Sequence, residues 1–72
     1  MDIRNYTGII IEKNGEFLIG YCVITNALRW SNSPYDAWIT RKRDKAFVVA
    51  DKVQGTRYLF NPIAAQLRKM KV

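Results

Sequence analysis

Gly-Ile-Ile-Ile-Glu-Lys-Asn-Gly-Glu-Phe-Leu-Ile-Gly-Tyr-Cys-Val-Ile, residues 8–24, holds two runs of β-branched and aromatic residues that meet at Asn14-Gly15. That dipeptide between such runs is a strong hairpin signal, because a two-residue type I′ turn needs positive φ at both central positions. With such a turn Lys13 opposes Glu16, Ile11 opposes Leu18 and Ile9 opposes Gly20. Alternation along the strands then puts Ile9, Ile11, Leu18, Cys22 and Ile24 on one face. The other face carries Ile10, Glu12, Phe17, Ile19, Tyr21 and Val23. Both faces are therefore largely apolar, whereas a hairpin wetted on one side shows a polar residue at every second position. Each buried Ile, Leu or Phe contributes about 1.5–3 kcal/mol, so both faces require a cover. One helix can supply the first. The second needs the C-terminal segment or another copy of the chain. Gly20, weak in a strand interior, marks a twist or bulge.

Working outward, Thr25 to Ser33 reads as a loop, although it contains Leu28, Arg29 and Trp30. Ser33-Pro34-Tyr35-Asp36 is a helix start: Ser as N-cap, Pro at the first position, then a carboxylate facing the helix dipole. Ala46, Val49, Ala50 and Val53 form an apolar stripe at helical spacing. The same stripe meets Lys42 and Arg43 one turn earlier. A continuous helix from Pro34 to Val53 thus competes with a broken one, and the broken one is preferred. It has a short turn around Pro34–Ala37, Thr40 as a second N-cap, a main helix from about Arg41, and Gly55 as the stop. Thr56 to Phe60 alternates as a third strand, antiparallel to the first and beside it. Asn61-Pro62 then opens a short last helix with Ile63, Leu67 and Met70 on its apolar edge. The expected fold is a single α+β domain over residues 1–72, in the order ββαβα. Its three-stranded, mainly antiparallel sheet carries one main helix and a short C-terminal helix. Ile3 and Tyr6 are expected to dock on the sheet.

At 72 residues the chain is near the lower limit for folding alone, with roughly 60% of its unfolded surface available for burial. Its 49% hydrophobic content is that of a globular protein. A single cysteine, Cys22, can form no internal disulfide and reads as an inert core thiol. The longest apolar run, Phe17 to Ile24, is eight residues, against the roughly 20 of a membrane helix. No signal-peptide core follows Met1-Asp2-Ile3-Arg4, so a cytoplasmic setting is expected.

Histidine is absent, which removes the commonest general base and metal ligand. One cysteine without histidine makes neither a thiol protease nor a zinc site. The glycines are too scattered to cradle a phosphate, and the carboxylates form no opposed pair. No enzyme, metal or cofactor is expected. A net charge of +6 instead directs attention to nucleic acid or an acidic protein as partner. Arg41, Lys42 and Arg43, with Lys45, put four cations at a helix start, where they oppose the dipole at about 0.3–1 kcal/mol each. The bland reading is a solvated helix face; the functional one is phosphate contact. Arg68, Lys69 and Lys71 read more simply as cations complementing the end of the last helix. Arg29 beside Trp30, with Tyr35 and Trp38 near in sequence, could stack on bases. Equally, the two indoles could plug the open end of a small core.

Asn-Gly-Glu-Phe-Leu-Ile-Gly, then Trp-Ser-Asn-Ser-Pro-Tyr-Asp-Ala-Trp, then Ala46-x-x-x-Ala50-x-x-x-x-Gly55, ending in Phe60-Asn61-Pro62, resembles small ββαβ proteins of phages and integrated elements of Gram-positive bacteria. It spans about residues 8 to 62. The resemblance implies an accessory role near nucleic acid or host machinery and brings no assigned activity or site residue. The leading expectation is a small basic binding protein that engages nucleic acid, with Arg29, Trp30, Arg41, Lys42, Arg43 and Lys45 at the contact. The alternatives are an inhibitor or adaptor of an acidic protein, and a homodimer built on the second apolar face.

Overall fold

The computed structural model describes residues 7–21, 24–25 and 27–70. The expectations for Ile3, Tyr6, Cys22, Val23 and Lys71 lie outside those residues. Five antiparallel strands form one sheet: β1 (Gly8–Lys13), β2 (Glu16–Tyr21), β3 (Leu28–Ser31), β4 (Thr56–Asn61) and β5 (Gln66–Lys69), in the spatial order β3-β2-β1-β4-β5. A 3₁₀ turn (Pro34–Asp36) and one α-helix, α1 (Arg43–Val53), connect β3 to β4. The class is α+β, but among the described residues the sheet has five strands rather than three, and there is one α-helix rather than two.

Both extra strands come from stretches with a different local reading. Leu28 to Ser31, expected in a loop, is too short to show a period, and its pairing with β2, Leu18 opposite Trp30 and Phe17 opposite Ser31, makes it a strand. Asn61-Pro62 does start a turn: the Asn61 Oδ1 accepts from the Ile63 and Ala64 amides at 2.9 and 3.1 Å. That acceptor pattern serves a turn as well as a helix. Here Ala65 adopts φ 52°, the chain reverses, and β5 returns along β4 with Leu67 opposite Phe60. So short a segment cannot sustain a helix unless one side is buried, and Ile63 stays 57% exposed.

The hairpin turn is as expected, with Asn14 at φ 55° and Gly15 at φ 82°. Lys13 opposes Glu16 and Glu12 opposes Phe17. Beyond those two rungs the strands part, and the expected pairs Ile11–Leu18 and Ile9–Gly20 are not made. The segment Trp38–Thr40 takes the gap. The Trp38 amide donates to the Leu18 carbonyl at 2.8 Å, while Ile9 and Thr40 exchange amide–carbonyl bonds of 2.7 and 3.0 Å. Successive residues of this segment reach opposite faces of the sheet. Ala37 packs against Ile10, Phe17 and Phe60; Trp38 packs against Ile11, Leu18, Val49, Ala50 and Val53. The chain therefore crosses from one side of the sheet to the other through the open mouth of the hairpin.

This crossing covers both faces from within one chain. Ile11 and Leu18 lie under α1, and Ile10 lies on the far face; all three are fully buried. On that far face Ala37 packs into the cluster, and the Tyr35 ring meets Phe60 edge-on at 5.2 Å. The cluster of Ile10, Phe17 and Phe60 on that face is thus covered by residues of the chain itself. Ile24, expected on the face of Ile9 and Ile11, is 92% exposed. Between Leu18 and Gly20 the register against β3 shifts, which is the irregularity expected at Gly20.

The broken helix is the one observed. Ser33 caps the 3₁₀ turn by accepting from the Tyr35 amide at 3.2 Å. Thr40 is not the N-cap of α1; its backbone is held in the strand pairing with Ile9, and its Oγ1 only turns the chain by accepting from the Lys42 amide at 3.2 Å. Lys42 occupies the cap position and makes no side-chain cap. Ala46, Val49, Ala50 and Val53 form the buried stripe. At the far end the left-handed residue is Gln54, φ 57°, one before Gly55. Gly55 serves close approach instead: a Cβ there would lie 2.6 Å from the Ile11 Cγ2 and 3.1 Å from the Glu12 carbonyl oxygen. Because a non-glycine αL residue costs roughly 1–2 kcal/mol, Gln54→Gly is expected to stabilise the protein by about 0.5–1 kcal/mol in a denaturant titration. A lower midpoint would mean that the Gln54 Nε2 bond to the Asp51 carbonyl, 2.7 Å, outweighs the strain.

Candidate nucleic-acid interface

Thr40 is anchored to Ile9, and the next three residues, Arg41, Lys42 and Arg43, turn into α1 with their side chains exposed. Lys45, in the first turn of α1, places its Nζ 6.0 Å from the centre of the Trp38 ring, at the outer range of a cation–π contact. Trp38 and Trp30 are half-buried and both pack against the core beneath α1. The indoles thus have a packing role, as the plug reading expects. Arg29 is exposed on β3, next to Trp30. Neighbouring residues on a strand face opposite sides of the sheet, so Arg29 and Trp30 do not form one surface. The structure groups Arg41, Lys42, Arg43 and Lys45 around the exit of the crossing, sets Trp30 in the packing, and leaves Arg29 apart.

Two of the acidic groups serve local structure. Glu12 Oε1 accepts from the Gly15 amide at 2.9 Å, and Asp36 Oδ2 accepts from the Ser31 hydroxyl at 2.9 Å. Partial burial and the adjacent Glu12 carboxylate hold the Tyr58 phenol above its ordinary value of 10.0. Among the described residues no three His, Cys, Asp or Glu side chains come together as a metal site would require. No helix among them is long and apolar enough to cross a membrane.

A second basic surface lies between α1 and the β4–β5 half of the sheet. The Arg57 guanidinium lies 5.2 Å from the Phe47 ring centre, and Phe47 is 54% exposed. Arg57 opposes Ile11, and Arg68 opposes Leu59, so Arg57, Leu59 and Arg68 share the α1 side. Two hollows lie along this side. One, of about 360 Å³, is lined by Phe47, Asp51, Gln54, Arg57 and Met70; the other, of about 440 Å³, by Thr7, Leu59, Asn61, Gln66 and Arg68. Sequence reasoning missed this surface because it placed Arg68 at the end of a helix, where a dipole accounts for its charge. The available signal was Phe47, a large aromatic outside the buried stripe and one turn after Arg43.

Comparison of the chain with protein-family models, with curated proteins and with solved structures finds no match in any of the three.

Proposed function

We propose that the protein is a small, non-enzymatic cytoplasmic binding protein whose basic surface engages nucleic acid through phosphate contacts. The observation that carries this reading is the exposed run Arg41-Lys42-Arg43, fixed in place by the Thr40–Ile9 pairing. These side chains are exposed, and Lys42 makes no side-chain cap. Cations at a helix start oppose the dipole, and Lys42 sits at a cap position where Ser or Asp would stabilise α1 by about 1 kcal/mol. Arg43 and Lys45 extend the charge into the first helical turn, and the chain carries a net +6.

Binding of labelled DNA or RNA, measured at about 50 mM salt, should weaken steeply as salt is raised, because phosphate contacts release counterions. Replacing Arg41, Lys42 and Arg43 together with alanine is expected to lower affinity about ten- to several-hundredfold and to reduce the salt slope by about 2–3. The melting temperature should hold or rise. No detectable binding by the wild type, or an unchanged affinity in the triple variant, overturns the proposal. The reading as an adaptor for an acidic protein draws on the edge strands β3 and β5, each paired with a described strand on one side only; one stoichiometric protein partner surviving nuclease treatment would favour it.

A further inference from the structure

We infer that the trough between α1 and β4–β5 takes single-stranded nucleic acid, with a base against Phe47 and phosphates on Arg43, Arg57 and Arg68. This rests on the nucleic-acid reading above and specifies the form of the ligand and where it lies. α1 buries Ala46, Val49, Ala50 and Val53 over the core centred on Ile11 and Leu18. A hollow lies over the β4–β5 part of the same face, with half-buried Leu59 among its lining residues. Phe47 lies on the flank of α1 that faces this opening. Arg57 stacks beside the ring, which orients it and still leaves it more than half exposed.

One cation touches that ring, and two other arginines lie on the same side of the sheet. Arg43 is one turn earlier on the same helix side, where i and i+4 residues are neighbours. Arg57 is in contact, and Arg68 lies across β4 next to Leu59. Asp51 is the one acidic side chain lining the two hollows. An exposed aromatic ringed by Arg is the arrangement that binds single strands: the π-face accepts any unstacked base, and the guanidinium groups track the backbone. A duplex keeps its base faces within its own stack, so Phe47 in a concave trough has nothing to meet there. Carboxylates of an acidic polypeptide satisfy the arginines without any use of the Phe47 ring. Phe47 decides between them.

The test is fluorescence anisotropy at about 50 mM salt on the full chain, with a labelled oligothymidylate of about 20 nucleotides, longer than the roughly 4–16 nucleotides a small fold covers. A duplex of the same length and polyglutamate as competitor complete the set. The wild type is expected to bind the single strand at least about tenfold tighter than the duplex. Phe47→Ala should weaken single-strand binding about 5- to 100-fold and leave duplex binding unchanged; Phe47→Leu, which keeps an apolar side chain, should do the same with an unaltered melt. Arg57→Gln with Arg68→Gln should lower the single-strand salt slope by about 1.4. If neither form of nucleic acid binds, the function proposed above falls and takes this inference with it. If both forms bind alike and Phe47→Ala changes nothing, the function stands and the trough assignment is overturned. Equal displacement by polyglutamate, insensitive to Phe47, overturns it in favour of an acidic protein.

Discussion

Replacing Leu18 with alanine is expected to destabilise the protein by about 3 kcal/mol, within the roughly 2–5 kcal/mol range for truncating a buried leucine. Leu18 is fully buried among Ile11, Val49, Ala50 and Val53, with Trp30 and Trp38 packed around the same cluster. A chain of this length has a total stability of about 4–11 kcal/mol. The loss is therefore a large share of the whole. The cavity would also lie directly under the crossing segment, whose Trp38 amide is held by the Leu18 carbonyl. Collapse to fill it would pull on that hydrogen bond. Denaturant titration followed by tryptophan fluorescence reports on both indoles at once. A shift under about 1 kcal/mol would show that Leu18 is not at the centre of the core, and the arrangement of α1 on β1 and β2 would be wrong.

Thr40→Pro is the second substitution with a large expected effect, about 3 kcal/mol. Proline removes the amide that Thr40 donates to the Ile9 carbonyl at 3.0 Å, and a ring in the middle of a sheet has no place to go. Thr40→Val separates this backbone effect from the side chain. It keeps the amide and the branched β-carbon, losing only the hydroxyl that accepts from Lys42, at about 0.5–1.5 kcal/mol. The two variants should differ by at least about 1.5 kcal/mol. Equal stabilities would mean that the Thr40 amide is not bonded to Ile9.

What could be read from the residues alone divides along a physical line. The Asn14-Gly15 turn, the Ser33-Pro34 start and the Ala46–Val53 stripe depend on neighbours in sequence, and each is found where the local chemistry puts it. The need for two covers was also legible, because Ile10 and Ile11 cannot both be dry with one side of a hairpin wet. The crossing was not. It requires Leu18 to give its carbonyl to Trp38, 20 residues away, instead of to Ile11, and no local pattern distinguishes the two. β3 and β5 failed for a related reason: each is a four-residue strand defined by its partner. The charged residues 41–45 could be singled out by composition, while the trough could not, since Arg68 shares the α1 side with Arg57 only once β5 pairs with β4.

The crossing has a bearing on the order of events during folding. A turn as favourable as Asn14-Gly15 closes in microseconds, long before residues some 20 positions downstream need arrive. If the two arms zip together to their ends, they shut the entrance that Trp38, Ile39 and Thr40 must occupy, and they have to separate again before α1 can reach its side. Stronger pairing of those arms would thus slow the route to the finished molecule.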